Sequence, residues 1–202
     1  MARFLLSLFF CSMTACEMSE ETTEEPSSLP AHFSDLEPLK HEHVAPNETR
    51  VRLTLSPSFL SPIVYDLRLN TNDNSGQLRV RRYSGKGGYD PGAVELVYFR
   101  ELTESETGVF LAHLEESMFW ELPPEELVKD TTGESNELVP YAGLDGDTYT
   151  LQAKSGDRFH SVWRWQALQV RINSEETSDI AAFSSQILEA AGISPINRDF
   201  PN

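Results

Sequence analysis

Cysteine is nearly absent from this chain: two in 202 residues, at positions 11 and 16. That excludes a disulfide scaffold and a cysteine-built zinc site. Basic residues are scarce as well. Sixteen Lys and Arg face 32 Asp and Glu, a formal net charge of -16. A general nucleic-acid binder carries the opposite footprint, so no nucleic-acid partner is expected. Long apolar runs are missing, and none approaches the roughly 20 residues that a membrane-crossing helix needs. Twelve Pro and eleven Gly without a period exclude a collagen-like architecture. What remains, 39% hydrophobic and 24% charged, is globular in composition and long enough for one domain plus appendages.

The amino terminus reads as an address. Arg3 precedes the apolar run Phe4 to Cys11, and the small residues Ser12, Thr14 and Ala15 follow. An apolar core of about 7–15 residues fits an export signal. An ordinary signal peptidase cutting after Ala15 would meet Met13 where a small residue is wanted. Met13-Thr14-Ala15-Cys16 instead resembles the lipobox of bacterial lipoproteins. That resemblance implies a diacylglyceryl group on the Cys16 sulfur, cleavage before it and acylation of the new amino group. By the same family's sorting rule, Glu17 after the Cys implies an outer-membrane address. A cleaved secretory signal with an incidental Cys is the alternative. Once the signal is gone, Cys16 would be the last cysteine, as suits an oxidising compartment.

Residues 17–48 carry nine acids against one base, Lys40, and Pro26, Pro30, Pro38 and Pro46 interrupt them. No apolar period runs through the segment. It is expected to be a self-repelling, disordered tether that spans on the order of 30 Å. His32 and the pair His41 and His43 lie within it, but a mobile stretch without fixed supporting contacts makes a poor metal site. The domain organisation is therefore a signal at 1–15, the lipidated Cys and tether at 16–48, and one domain at 49–202.

The body begins with strands. Val51-Leu53-Leu55, Tyr65-Leu67-Leu69, Leu78-Val80 and Val94-Leu96-Tyr98 each alternate with polar neighbours, the period of a sheet covered on one face. In the first hairpin Asp66 should lie opposite Arg81. Thr103-Glu104-Ser105-Glu106 is a capping box that starts a helix with the stripe Val109, Phe110, His113, Leu114, Ser117 and Met118, ended by Pro123-Pro124. A polar, acidic loop runs to about Leu144. A second hairpin follows, and a three-residue loop, Ser155-Gly156-Asp157, would pair Ala153 with Phe159 and align the row Phe159-Ser161-Trp163-Trp165 with Tyr149-Leu151-Ala153. A last helix spans about 177–191 with Ile180, Phe183, Ile187, Leu188 and Ala191 as its stripe, capped by Gly192 and ended by Pro195. The expected class is α+β, an antiparallel sheet in the order ββββαββα with both helices on one face.

Catalytic patterns fail in turn. Gly85-Lys86-Gly87-Gly88 lacks the spacing of a phosphate loop, and Asn70, Asn72 and Asn74 lack the closing acid of a calcium loop. No Gly-x-Ser-x-Gly elbow occurs. His113 falls on a buried stripe, and Glu115-Glu116 and Glu125-Glu126 read as solvated charge. No cofactor is implied. One constellation remains: Arg50, Arg52, Arg68, Arg79, Arg81, Arg158 and Arg164, with His160, all fall on the rows assigned to the open face. Against Asp66 and Glu95 they would make that face locally positive, a candidate site for an anionic lipid headgroup, an acidic glycan or a carboxylate-rich protein. Cross-strand pairing of the same arginines is the alternative.

Phe119-Trp120-Glu121-Leu122-Pro123, Gly143-Leu144-Asp145-Gly146 and the strand Arg158 to Trp165 resemble a bacterial family of unknown function over residues 95 to 192. Its members carry similar Phe-Trp-x-Leu-Pro, Gly-Leu-Asp-Gly and His-x-Val-x-Arg-Trp motifs. The resemblance implies an α+β fold and no activity. Trp120 and Trp165 are expected to be core aromatics rather than a sugar platform. The functional expectation is a lipid-anchored, non-enzymatic binding module of the envelope. A periplasmic inhibitor or immunity-type protein, using the acidic loop 121–137 against a cationic enzyme, is one alternative. An envelope hydrolase with an unrecognised site is another.

Overall fold

The computed structural model describes residues 33, 35–86, 90–125, 127–129, 138–140, 146–165 and 175–190. The signal, Cys16, His32, Gly192 and Pro195 lie outside the described residues. In chain order the elements are β1 (Glu48–Pro57), β2 (Ile63–Asn70), β3 (Gly76–Tyr83), β4 (Val94–Leu102), α1 (Glu104–Glu116), β5 (Leu127–Lys129), β6 (Leu138–Pro140), β7 (Asp147–Ser155), β8 (Arg158–Trp165) and α2 (Glu175–Ala190). A single 3-10 turn, Phe119–Glu121, follows α1. Six strands form one antiparallel sheet in the order β4-β3-β2-β1-β7-β8. The class is α+β. The acidic stretch expected as a loop holds a short ribbon, β5 paired with β6.

Alternation builds one buried layer. Val51, Leu53 and Leu55 of β1 stand opposite Leu67, Tyr65 and Ile63 of β2 and opposite Ala153, Leu151 and Tyr149 of β7. These residues, with Leu78 and Val80, share one core cluster with Phe110 and Leu114 of α1 and with Phe183, Ile187 and Leu188 of α2. The Thr103 hydroxyl accepts from the Glu106 amide while the Glu106 carboxylate accepts from the Thr103 amide, so the capping box forms as its spacing predicts. The helix stripe is narrower than expected. Val109 and Met118 are exposed, and Met118 adopts φ +51°, which turns the chain out of the helix toward Phe119. His113 stacks on Phe183.

Three expectations are corrected. Asp66 stands opposite Arg79 rather than Arg81. The β7–β8 loop has two residues, Gly156 and Asp157, with positive φ at Gly156, so Ala153 pairs with His160 and Leu151 with Val162. A strand's side chains alternate with period two, so this register places Val162 over the core and moves Phe159, Ser161, Trp163 and Trp165 to the other face. Finally, residues 35–47, expected as tether, lie against the sheet. Phe33, Leu36, Leu39 and Val44 are buried, and Phe33 and Leu36 cluster with Val64 and Tyr83. Burying four large apolar side chains outweighs the charge repulsion that composition suggested, because the segment's acids meet cations on the sheet.

Gly76 shows how closely α1 seats on β3. A Cβ there would stand 2.5 Å from the Thr107 hydroxyl and 3.0 Å from Leu102 Cδ1, below van der Waals contact. Gly76→Ala is expected to cost about 1–3 kcal/mol through overpacking, read as a lower urea midpoint at unchanged slope.

Candidate functional site

The arginine rows divide between the two faces of the sheet. Arg50, Arg52, Arg68, Arg79 and Arg81 lie on the face away from the helices, because each stands opposite or beside a residue whose neighbours point into the core. Arg158, His160 and Arg164 share their face with Val162, on the helix side. The single cationic face expected from the rows therefore does not form. The two-residue turn reverses the parity of β8 and carries its three cationic positions to the other side.

Those three residues clamp the chain that follows α1. Arg164 is fully buried and donates to the carbonyls of Pro123 (3.0 Å), Pro124 (3.3 Å) and Trp163 (2.7 Å). His160 Nε2 bonds the Leu122 carbonyl at 2.8 Å, and its ring meets Phe119 edge-on. The Arg158 guanidinium lies 4.2 Å over the Trp120 ring and pairs with Glu121. The Trp163 amide donates to Pro124, and Glu125 bridges to β8 in parallel. The two motifs Phe-Trp-x-Leu-Pro and His-x-Val-x-Arg-Trp thus bind each other. With one face of Trp120 under Arg158, that face is closed to sugar stacking. Trp165 sits against Gly146, where a Cβ would approach its Nε1 to 2.5 Å.

On the other face, the arginines meet acids. Arg52, whose side chain is 4% exposed, donates from Nε to Asp66 (2.5 Å), from Nη2 to Glu42 (2.8 Å) and from Nη1 to the Glu37 carbonyl (2.8 Å). Arg81 takes the second oxygen of Asp66 at 2.5 Å. Glu48 binds Arg50 through one oxygen and Arg68 through the other. Lys154 donates to the carbonyls of Lys40 and Glu42, which fastens the incoming segment across β7. His41 and His43 are exposed on either side of Glu42. Among the described residues, no group of three or more His, Cys, Asp and Glu is placed to hold a metal ion.

The acids decide the electrostatics. Burial pushes the Glu48 carboxyl up, but hydrogen bonds and charge from Arg50 and Arg68 outweigh it and hold the group below its usual range. Burial, reinforced by the Asp35 carboxylate within hydrogen-bond reach, keeps the Tyr83 hydroxyl above its ordinary value. Of the five arginines on this face, only Arg79 has no ion pair among the described residues, and it is exposed. It stands opposite Phe99, with Arg81 opposite Val97, on the edge strand β4. Phe99 and Val97 are 54% and 51% exposed, and Val94 is also open. At the far end of the same face, Arg68, Gln77, Glu101, Asn70 and Asn47 line a polar cleft of about 350 Å³.

Reading the rows alone missed two things. Glu42 and Glu48 fall within the stretch that composition reads as tether, although an acidic stretch just before arginine-rich strands is itself a signal of pairing. Val94-Leu96-Tyr98 reads as the apolar row of β4, but Val97 and Phe99 supply a second one, so the strand is apolar on both rows. The acidic loop 121–137 lies mostly outside the described residues. The chain matches no protein-family model and no curated protein sequence.

Asp66 carries two guanidinium groups, one of them almost fully buried. Asp66→Asn is expected to cost about 3 kcal/mol, since it strands part of a buried charge, measured by chemical denaturation. Because the folded Glu48 carboxyl titrates below the unfolded one, its contribution is complete above the unfolded value. It is lost as pH falls through the folded one. Glu48→Gln is expected to flatten the fall of stability below about pH 5, followed by melting across that range.

Proposed function

We propose that the protein is a lipid-anchored envelope protein whose body acts as a non-enzymatic binding module. Met13-Thr14-Ala15-Cys16 and Glu17 support an outer-membrane anchor through Cys16. The body's core, with two helices and a sheet packed around one cluster, serves to hold a contact surface in shape. The likeness of its motifs to an uncharacterised bacterial family belongs to the same reading and adds no chemistry to it.

The observation that carries the binding half is the strip on β3 and β4. Val97 and Phe99 lie on the edge strand β4, with Val94 at its start, and Arg79 stands opposite Phe99 on the neighbouring β3. Single exposed apolar residues are ordinary. Three on one edge strand beside an exposed guanidinium make a docking strip. Arg50, Arg52, Arg68 and Arg81 already hold the chain's own carboxylates, which leaves little free charge for a headgroup or glycan. The best-fitting partner is therefore a protein surface offering apolar side chains beside a carboxylate.

A photo-crosslinking residue in place of Phe99 is expected to capture an envelope protein in cells, and one in place of Met118, exposed beyond α1, to capture none. Adding Arg79→Glu should reduce the Phe99 adduct at least tenfold. Equal labelling from both positions, or an adduct indifferent to Arg79, rejects the strip.

A further inference from the structure

The sheet treats its two edges differently. At β8 the Trp163 amide donates to the Pro124 carbonyl and Glu125 bridges to Trp163 in parallel, so the chain after α1 covers that edge. At β4, β3 is the only strand paired among the described residues. Exposed edges are commonly blunted by Pro, Lys or a bulge. β4 has no Pro, Gly or Lys. Its ladder with β3 is unbroken from Leu96 to Leu102, and the irregularity lies at Arg82 and Tyr83, beside its start.

Both rows of β4 are incompletely covered. Val97 and Phe99 are exposed on the arginine face, and Leu96 and Tyr98, on the helix side, are half-buried. A partner resting on one face would cover one row. A strand laid along the edge covers both and takes up the backbone N–H and C=O groups that point away from β3. Strand addition is therefore the mode that fits.

The strip also contains the partner it asks for. Val97 and Phe99 beside the exposed Glu95 are apolar side chains next to a carboxylate. Two β4 strands can pair antiparallel about a two-fold axis in few registers. Centred on Tyr98, Glu95 stands opposite Glu101 of the second copy. Centred on Phe99, Val97 meets Glu101 and no carboxylate enters the row of Arg79. Centred on Val97, Leu96 meets Tyr98, Glu95 meets Phe99, and no like charges stand opposite. Arg79, Phe99 and Glu95 of the second copy then form one row, about 10 Å between the outer backbones, a span that an Arg and a Glu bridge over the ring. Glu95 takes Arg82 through one oxygen at 3.2 Å and keeps the other for Arg79.

We propose that β4 pairs antiparallel with β4 of a second copy, with Val97 on the two-fold axis. The inference rests on the docking-strip reading and names its partner. Charges more than about 8 Å apart are screened at physiological salt, so the net charge of -16 does not forbid the contact. The pairing consumes the free edge of both copies, and the chain after α1 covers β8, so assembly stops at the dimer.

The test uses the full-length chain. Val97→Cys under mild oxidation is expected to form a disulfide between copies, because opposite residues of an antiparallel pair stand about 4.5–5.5 Å apart at Cα, within disulfide range. Phe99→Cys, two residues off the axis, and Val109→Cys, exposed on α1, should not. The unsubstituted chain controls for Cys11 and Cys16, and mass spectrometry identifies the linked peptides. In sedimentation, Val97→Lys should give a monomer with an unchanged melting temperature. Arg79→Glu should weaken the dimer about tenfold, since two rows are lost together, and adding Glu95→Arg should restore it. Equal linkage at 97, 99 and 109, or no linkage at 97, overturns the inference. A Phe99 photo-adduct with a different protein then leaves the docking strip standing and removes only the second copy. No adduct and no linkage remove both.

Discussion

Arg52 is the residue on which the architecture turns. A guanidinium almost fully removed from water is costly unless each edge of it is bound, and here Asp66, Glu42 and the Glu37 carbonyl bind all three. Asp66 comes from the neighbouring strand. Glu42 and Glu37 come from the segment before β1, so the charge can be buried only if that segment lies across the sheet. Glu48 repeats the arrangement with Arg50 and Arg68, and Lys154 fastens the segment from β7. The acidic arm and the arginine rows are two halves of one interface. Leu36, Leu39 and Val44 fill it with the apolar burial that the ion pairs alone would not supply.

The helix side repeats the principle with neutral acceptors. After α1 the chain leaves regular structure at Met118 and reaches two consecutive prolines. Its carbonyls at Leu122, Pro123 and Pro124 lie outside any helix, and β8 must satisfy them, the Trp163 amide already donating to Pro124. His160 and Arg164 supply the donors from β8. The aromatic and proline residues on one side and the His-x-Val-x-Arg strand on the other make a structural joint. Their pairing gives the two motifs a structural role that needs no ligand.

Much of the fold was legible in the sequence. The rows of β1, β2 and β3, the turn before β3, the capping box before α1 and the stripe Phe183-Ile187-Leu188 all follow from local period and local chemistry. The candidate site was far less so. Period two puts five of the seven arginines on the correct face, but their charge reads as open because several of their partners lie in a stretch whose composition reads as disordered. The parity of β8 was misplaced for a related reason. A row with Phe and two Trp is the better core candidate by hydrophobicity, but Val162 shares its row with the donors that Leu122 to Pro124 require.

By itself the sequence determined which segments become the six strands of the large sheet and the two helices, and which of β1's residues face the core, because period two and period 3.6 are written in neighbouring residues. Only the tertiary structure decided whether the arginine face stays open and which row of β8 turns inward. Both depend on groups 10 and 41 residues away, Glu42 for Arg52 and the Pro123 carbonyl for Arg164. A local pattern does not encode where a distant carboxylate or carbonyl arrives, and for a buried guanidinium that arrival is what fixes the structure.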